Sequence, residues 1–218
     1  MTAERLTIET SRGAVSAEVT GGRPGRPIVV CAHGAGHDMR SASLLGFAEG
    51  LAEEEIACLR FNFPYKERGS KAPDRPPVLL EAWRAVFERA RGLGEPVWVS
   101  GKSMGGRIGS MAVAEGMPAA GLVFLGYPLH PPGKPERIRD AHLDDVDVPM
   151  LFIQGTQDQF ARWDLLEGVV KRLADRAVLH PIEGGDHSFR VRGRPRDDLG
   201  TGRELAPIAA EFIRERTR

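Results

Sequence analysis

The chain has 218 residues, 41% hydrophobic and 28% charged, the balance of a globular protein with enough length to bury a sizeable core. Its 26 Gly and 16 Pro make up about 19% of the chain, below the roughly 25–30% at which composition points to disorder or a low-complexity fibre. Thirty basic and 30 acidic side chains cancel, so no global field draws the protein to nucleic acid or an anionic membrane, and any electrostatic recognition has to be local. Cys31 and Cys58 are the only cysteines, each inside an apolar run. They read as small buried hydrophobes, and their number excludes a disulfide framework or a CxxC redox centre. The N-terminus, MTAERLTIETSRG, carries acidic residues and no signal-peptide core, and no later apolar run reaches the length of a membrane span, which gives the expectation of a cytoplasmic protein.

In chain order, Leu6 to Thr10 and Ala14 to Val19 alternate apolar and polar residues around Ser11-Arg12-Gly13, the pattern of a hairpin with one buried face. Nearly continuous apolar runs follow: PIVVCA from Pro27, IACLRF from Ile56, VWVS from Val97, GLVFLG from Gly121, PMLFIQ from Pro149 and AVLHPI from Ala177. Strands apolar on both faces belong to a parallel sheet covered by helices. Helical periodicity occupies the intervals: Ser41 to Glu55, Val78 to Arg91, Ser103 to Ala114, Arg162 to Ala174 and Glu204 to Arg216. Strand and helix alternate throughout, which predicts an α/β class with a mostly parallel, doubly wound sheet flanked by the antiparallel hairpin. The Pro-rich stretches at Lys71 to Pro77 and Pro128 to Pro135 are too brief to separate domains, so residues 1–218 are read as one domain. Only 22 residues separate Gly126 from Pro149, with at most a short helix at Glu136 to His142, which leaves no room for a cap domain.

The segment VWVSGKSMGGRIGSMAVA runs from an apolar strand through Gly101-Lys102-Ser103-Met104-Gly105 into a small-residue helix. This is Gly-x-Ser-x-Gly in the strand–turn–helix setting of a nucleophile elbow. The turn crowds the backbone, so the positions two before and two after the serine must be small, and the following helix aims its N-terminal amides at a developing oxyanion. A phosphate-binding loop would need Gly where Pro96 stands, and a dinucleotide fingerprint would need Gly where Met39 stands. No cofactor is predicted.

A serine nucleophile needs a base and an orienting acid, in the chain order serine, acid, histidine for such an elbow. PMLFIQ ends in Gly155-Thr156-Gln157-Asp158, and AVLHPI ends in Glu183-Gly184-Gly185-Asp186-His187. Asp158 and His187 are therefore the candidates, each just past a strand's C-terminal end, with Asp186 a weaker alternative acid because neighbouring side chains diverge. One oxyanion amide should come from the loop His33-Gly34-Ala35-Gly36-His37, which gives Ala35 and Met104 as donors. Glycines between His33 and His37 disfavour the helix that would place both on one metal, so no metal is predicted. The loop from Asn62 to Pro77, with Tyr65, and the residues Tyr127, His130, Phe160 and Phe189 are expected to line a shallow pocket of mixed polarity.

With CAHGAGHDMRS, LRFNFPY, GKSMGGR, GYPLHPPGKPE, QGTQDQF and GGDHSF, from Ile28 to the C-terminal helix, the chain resembles the α/β-hydrolase superfamily. Within it the likeness is to the small dienelactone-hydrolase-like branch that includes the testis-expressed and NSL-complex hydrolase-like proteins. The resemblance implies a capless α/β-hydrolase fold and a serine hydrolase acting on an ester, thioester or related acyl bond of a small substrate. Dienelactone hydrolases proper use a cysteine where this chain has Ser103, so their substrate is not carried over. The branch also includes members of protein assemblies, which makes a non-catalytic binding or scaffold module the alternative.

Overall fold

The computed structural model describes residues 3–22 and 25–217; Met1, Thr2, Arg23, Pro24 and Arg218 lie outside them. Eight strands form one sheet: β1 (Glu4–Ile8), β2 (Val15–Thr20), β3 (Ile28–Ala32), β4 (Ala57–Phe61), β5 (Val97–Lys102), β6 (Leu122–Leu125), β7 (Met150–Gly155) and β8 (Ala177–Ile182). Their spatial order is β1-β2-β4-β3-β5-β6-β7-β8. The first two strands are antiparallel to each other, β2 is antiparallel to β4, and every later pair is parallel. The hairpin thus closes one edge of a parallel sheet whose strands β3, β4 and β7 are buried along their whole length.

Helices cover both faces, which is why those strands carry apolar residues at consecutive positions. On one face α3 (Pro76–Arg91), α4 (Met104–Ala114) and α5 (Trp163–Leu173) pack Trp83, Phe87, Ile108 and Leu166 against Val30, Leu59 and Phe152. On the other, α1 (Ala42–Glu53) and α6 (Asp198–Thr217) pack Phe47, Leu51, Phe212 and Ile213 against Val29, Trp98 and Ile153. Cys31 and Cys58 are buried free thiols in this second layer.

The elements differ from the sequence expectation mainly at helix starts. Pro76 and Pro77 belong to the first turn of α3, where a missing N–H costs nothing because that amide has no intrahelical partner anyway. A four-residue helix, α2 (Pro64–Glu67), begins in the same way at Pro64. Six residues before Glu204 already belong to α6, whose start is tied down by Asp197: its Oδ1 accepts the Gly200 N–H at 2.6 Å. The short helix expected at Glu136 to His142 is replaced by a single 3-10 turn at Ala141–Asp145. Among the described residues no helix is long and apolar enough to cross a membrane.

Candidate active site

All six parallel strands point their C-terminal ends to one edge, where open α/β sheets bind ligands. At that edge β5 turns into α4 through Ser103, whose φ of +52° lies in the left-handed region. A non-glycine residue adopts this conformation only where the surroundings enforce it. Here they do. A Cβ on Gly101 would stand 2.4 Å from the Gly106 nitrogen, and one on Gly105 would stand 2.5 Å from the Ala32 carbonyl oxygen. Both contacts are with backbone, so neither glycine can be larger. The indole N–H of Trp83 donates to the Gly105 carbonyl at 3.1 Å and holds the turn from the α3 side.

Three side chains predicted from separate segments meet at the turn. His187 Nε2 lies 2.9 Å from Ser103 Oγ, and His187 Nδ1 lies 2.6 Å from Asp158 Oδ2. The ionised carboxylate can only accept, so Nδ1 carries the proton and Nε2 is left to accept from the serine hydroxyl. The Asp158 side chain is fully shielded, and its other oxygen accepts the Phe160 N–H at 2.7 Å. Asp186 takes no part in this chain; its Oδ1 accepts the N–H groups of Ser188 and Arg190 at 2.7 and 3.0 Å and shapes the histidine turn. Burial pushes the His187 pKa below the usual histidine value, the nearby Lys102 charge adding to the effect and the hydrogen bond to Asp158 opposing it.

The loop after β3 lies against the serine: a Cβ on Gly34 would be 3.7 Å from Ser103 Cβ. Ala35 follows Gly34 in this loop and is exposed, and Met104 opens α4, where the first N–H groups have no intrahelical partner. The loop is fastened to the end of β4 by three contacts. His33 Nε2 accepts the Phe63 N–H at 3.1 Å, Asn62 Oδ1 accepts the Met39 N–H at 2.9 Å, and the buried Arg60 donates to the Met39 carbonyl at 2.7 Å. His33 Nδ1 lies 2.8 Å from the Gly34 carbonyl oxygen, so both ring nitrogens are spent on backbone groups. Burial drives the His33 pKa down to about 4, which keeps this arrangement neutral.

The expected pocket residues divide. Tyr65 and Tyr127 are 0% and 1% exposed and belong to the core, so neither presents surface to a substrate. Tyr65 packs edge-on against His33, and the Tyr127 hydroxyl donates to the Arg139 carbonyl at 2.7 Å. Phe160 is half-buried with its ring centroid 4.3 Å from that of His187. Phe189 walls a cavity of about 80 Å³ whose lining includes Gly34, Lys102 and Ser188. His130 is buried too; its Nδ1 lies 2.9 Å from the Pro131 carbonyl, and its Nε2 accepts the Arg162 N–H at 2.9 Å, which staples the segment after β6 to the acid turn.

Two site residues went unmarked in the sequence. Gln154, fully buried, donates to Asp158 Oδ2 at 2.5 Å and accepts the Tyr127 N–H at 2.7 Å. Lys102, the first variable position of the elbow motif, donates from Nζ to the His187 carbonyl at 2.6 Å. Neither has a motif of its own; only their position, one residue before Ser103 and four before Asp158, could have drawn attention to them.

A family model described as an alpha/beta hydrolase domain matches residues 25–214. Among solved structures, a serine hydrolase without a lid from Xanthomonas campestris is 21% identical over 99% of this chain and 95% of its own, with a TM-score of 0.75. A dienelactone hydrolase from Anabaena variabilis is 19% identical over 98% and 97%, at a TM-score of 0.73. A serine hydrolase homologue from Coxiella burnetii is 19% identical over 98% of each chain, at 0.75. At such identities the likeness to these three is one of fold, whereas the family model spans most of the sequence. The chain belongs to the α/β hydrolase domain family, in the capless form with the hairpin at one edge of the sheet.

Proposed function

We propose that the protein is a serine hydrolase that cleaves an ester, thioester or related acyl bond of a small substrate through a covalent acyl-enzyme. The observation that carries this reading is the 2.9 Å approach of His187 Nε2 to the Oγ of a serine held at positive φ. Ser103 Oγ attacks the acyl carbon while its proton passes to His187 Nε2. Asp158 remains ionised, keeps the imidazole in the Nδ1–H tautomer and stabilises the imidazolium as it forms. The Ala35 and Met104 amides receive the oxyanion of the tetrahedral intermediate. Collapse breaks the bond to the leaving oxygen or sulfur, which takes the proton from His187; water, deprotonated by the same histidine, then releases the acid and frees Ser103.

The test is hydrolysis of p-nitrophenyl acetate and labelling by a fluorophosphonate, each with the wild type and Ser103→Ala. The variant should lose labelling and at least about a thousandfold in kcat/KM, with an unchanged unfolding midpoint because the glycines, not the hydroxyl, set the turn. Retained turnover would identify another nucleophile. A wild-type protein that neither labels nor hydrolyses would favour the scaffold reading of this fold.

A further inference from the structure

Lys102 stands between the two groups that the proposed mechanism needs to keep in register. Its backbone precedes Ser103, while its ammonium reaches across to the carbonyl of His187 at 2.6 Å, so one side chain ties the nucleophile's strand to the histidine's turn. The ring of Phe189 lies beneath it, with the ammonium 5.4 Å from the centroid, a separation at which a cation and an aromatic face attract. The turn itself is closed locally: Phe189 N–H donates to the Asp186 carbonyl at 2.9 Å, and Asp186 N–H to the Arg190 carbonyl at 3.1 Å. The β7 side holds this closed unit through the Gln157 N–H to the Gly185 carbonyl at 2.9 Å and the Gly184 N–H to Thr156 Oγ1 at 2.8 Å, and from β5 it is the Lys102 ammonium that reaches its backbone.

The charge has a second effect. Other charged or titratable groups face this space from neighbouring elements: Asp158 from the turn after β7, Asp186 from the histidine turn, Arg190 with its partner Asp198 at the start of α6, and His37 from the loop after β3. Asp158 is engaged by His187 and Gln154, Asp186 by the backbone of its turn, and Asp198 by Arg190, and the lysine's hydrogen bond goes to an uncharged carbonyl. Its positive charge is therefore not quenched by direct pairing with a carboxylate. A Cβ on Gly126 would meet Lys102 Nζ at 3.1 Å and His187 Nδ1 at 3.6 Å, so the ammonium stands beside an imidazole that has to be neutral to accept the serine proton. Burial lowers the Lys102 pKa to about 8, which leaves the ammonium charged at neutral pH and below.

We infer that Lys102 is a positioning residue for His187, holding the histidine turn through its carbonyl and setting a positive charge beside the imidazole. The inference rests on the reading of His187 as the base. Both contributions come from one side chain, and they separate on substitution: Lys102→Met removes the hydrogen bond and the charge, whereas Lys102→Arg keeps the charge and a donor.

The experiment has two arms. In the first, the His187 ring is titrated by NMR in the Ser103→Ala protein, with and without Lys102→Met and Lys102→Arg, His187→Gln supplying the assignment. Lys102→Met should raise the histidine pKa toward its ordinary value of about 6.5, and Lys102→Arg should leave it low. In the second, the pH profile of kcat/KM for p-nitrophenyl acetate should show the acid limb moving the same way, with plateau kcat reduced about tenfold in Lys102→Met and largely recovered in Lys102→Arg. An unchanged titration and acid limb in Lys102→Met, or a shift to lower pH, overturns the inference. Should the wild type prove inactive, the hydrolase reading falls, and the titration arm still decides the role of Lys102.

Discussion

Gln154 offers no proton and touches no reacting atom, yet it joins Asp158 to the backbone of Tyr127 at the end of β6. Its amide orientation follows from its partners, since the carboxylate accepts and the Tyr127 N–H donates. Gln154→Leu, similar in volume, would leave a buried N–H without an acceptor and Asp158 without one of its two local donors, at a cost of about 2 kcal/mol in stability. The looser carboxylate should lower kcat/KM by about tenfold with little change in KM, because Asp158 acts on the histidine rather than on bound substrate. Urea unfolding and steady-state kinetics check the two effects separately. The same carboxylate bears on the pH profile. Proton transfer requires neutral His187, and burial holds its pKa below the usual value, so activity persists as pH falls through about 6.5 and is lost only lower. An acid limb of kcat/KM with its midpoint at or above that value would contradict the buried setting of the histidine. At this scale Ser103, Asp158 and His187 were legible because each follows a strand in the order the chemistry demands. Gln154 and Lys102 were not, since a buried glutamine and a lysine in a motif's variable position acquire their roles from partners 4 to 85 residues away.

Among the elements, the elbow was readable because Gly101 and Gly105 bracket a serine where β5 runs through that single residue into α4. The packing of α1 on α6 was not. A Cβ on Gly46 would stand 1.9 Å from the Leu199 carbonyl oxygen, and one on Gly202 would stand 2.0 Å from the Ser43 carbonyl oxygen. The two helices touch backbone to backbone, which is the reason Gly202 stands early in α6, and together with Gly200 it hid the helix start from a periodicity reading. Propensity alone says that Gly202→Ala should stabilise α6 by about 1 kcal/mol. Sterics oppose it, since the added carbon meets backbone and the helices must part, which costs about 3 kcal/mol. The net expectation is a destabilisation of about 2 kcal/mol, seen as a lower urea midpoint with an unchanged slope. A midpoint that rises would mean the helices have room to separate. The proline-led helices α2 and α3 carry the same lesson in milder form: Pro64 and Pro76 are starts, not breaks.

For the molecule as a whole, alternating strands and helices made the mostly parallel sheet, its flanking hairpin and its two covered faces legible, but not the order of the strands. The pocket was less so, because exposure at a strand exit is decided by what the loops fold over. Tyr65 and Tyr127 lie just past β4 and β6, and both turn inward to brace the loops instead of facing substrate. Next to the elbow, at Gly34 and Lys102, lies a small cavity. The segment between β6 and β7 is pinned by the Tyr127–Arg139 and His130–Arg162 contacts and forms no cover, and the cavity at Gly34 and Lys102 holds about 80 Å³. A second cavity, of about 370 Å³, lies toward Ile182, Leu205 and Ile208, and the residues shared by the two linings are Phe189 and Arg190. Each methylene buried beyond the first few would add about 0.8 kcal/mol to binding, but here a longer chain meets either solvent or the Phe189 ring. Acetyl to butyryl p-nitrophenyl esters should therefore be turned over at least as well as octanoyl or decanoyl esters, with no activation at a lipid interface, since the described residues form no lid that could open. Phe189→Ala would remove the wall between the cavities and shift the preference toward octanoyl. A wild-type kcat/KM that climbs steadily through decanoyl would show that a chain already passes Phe189, and that this ring is a floor for the acyl group and not its limit.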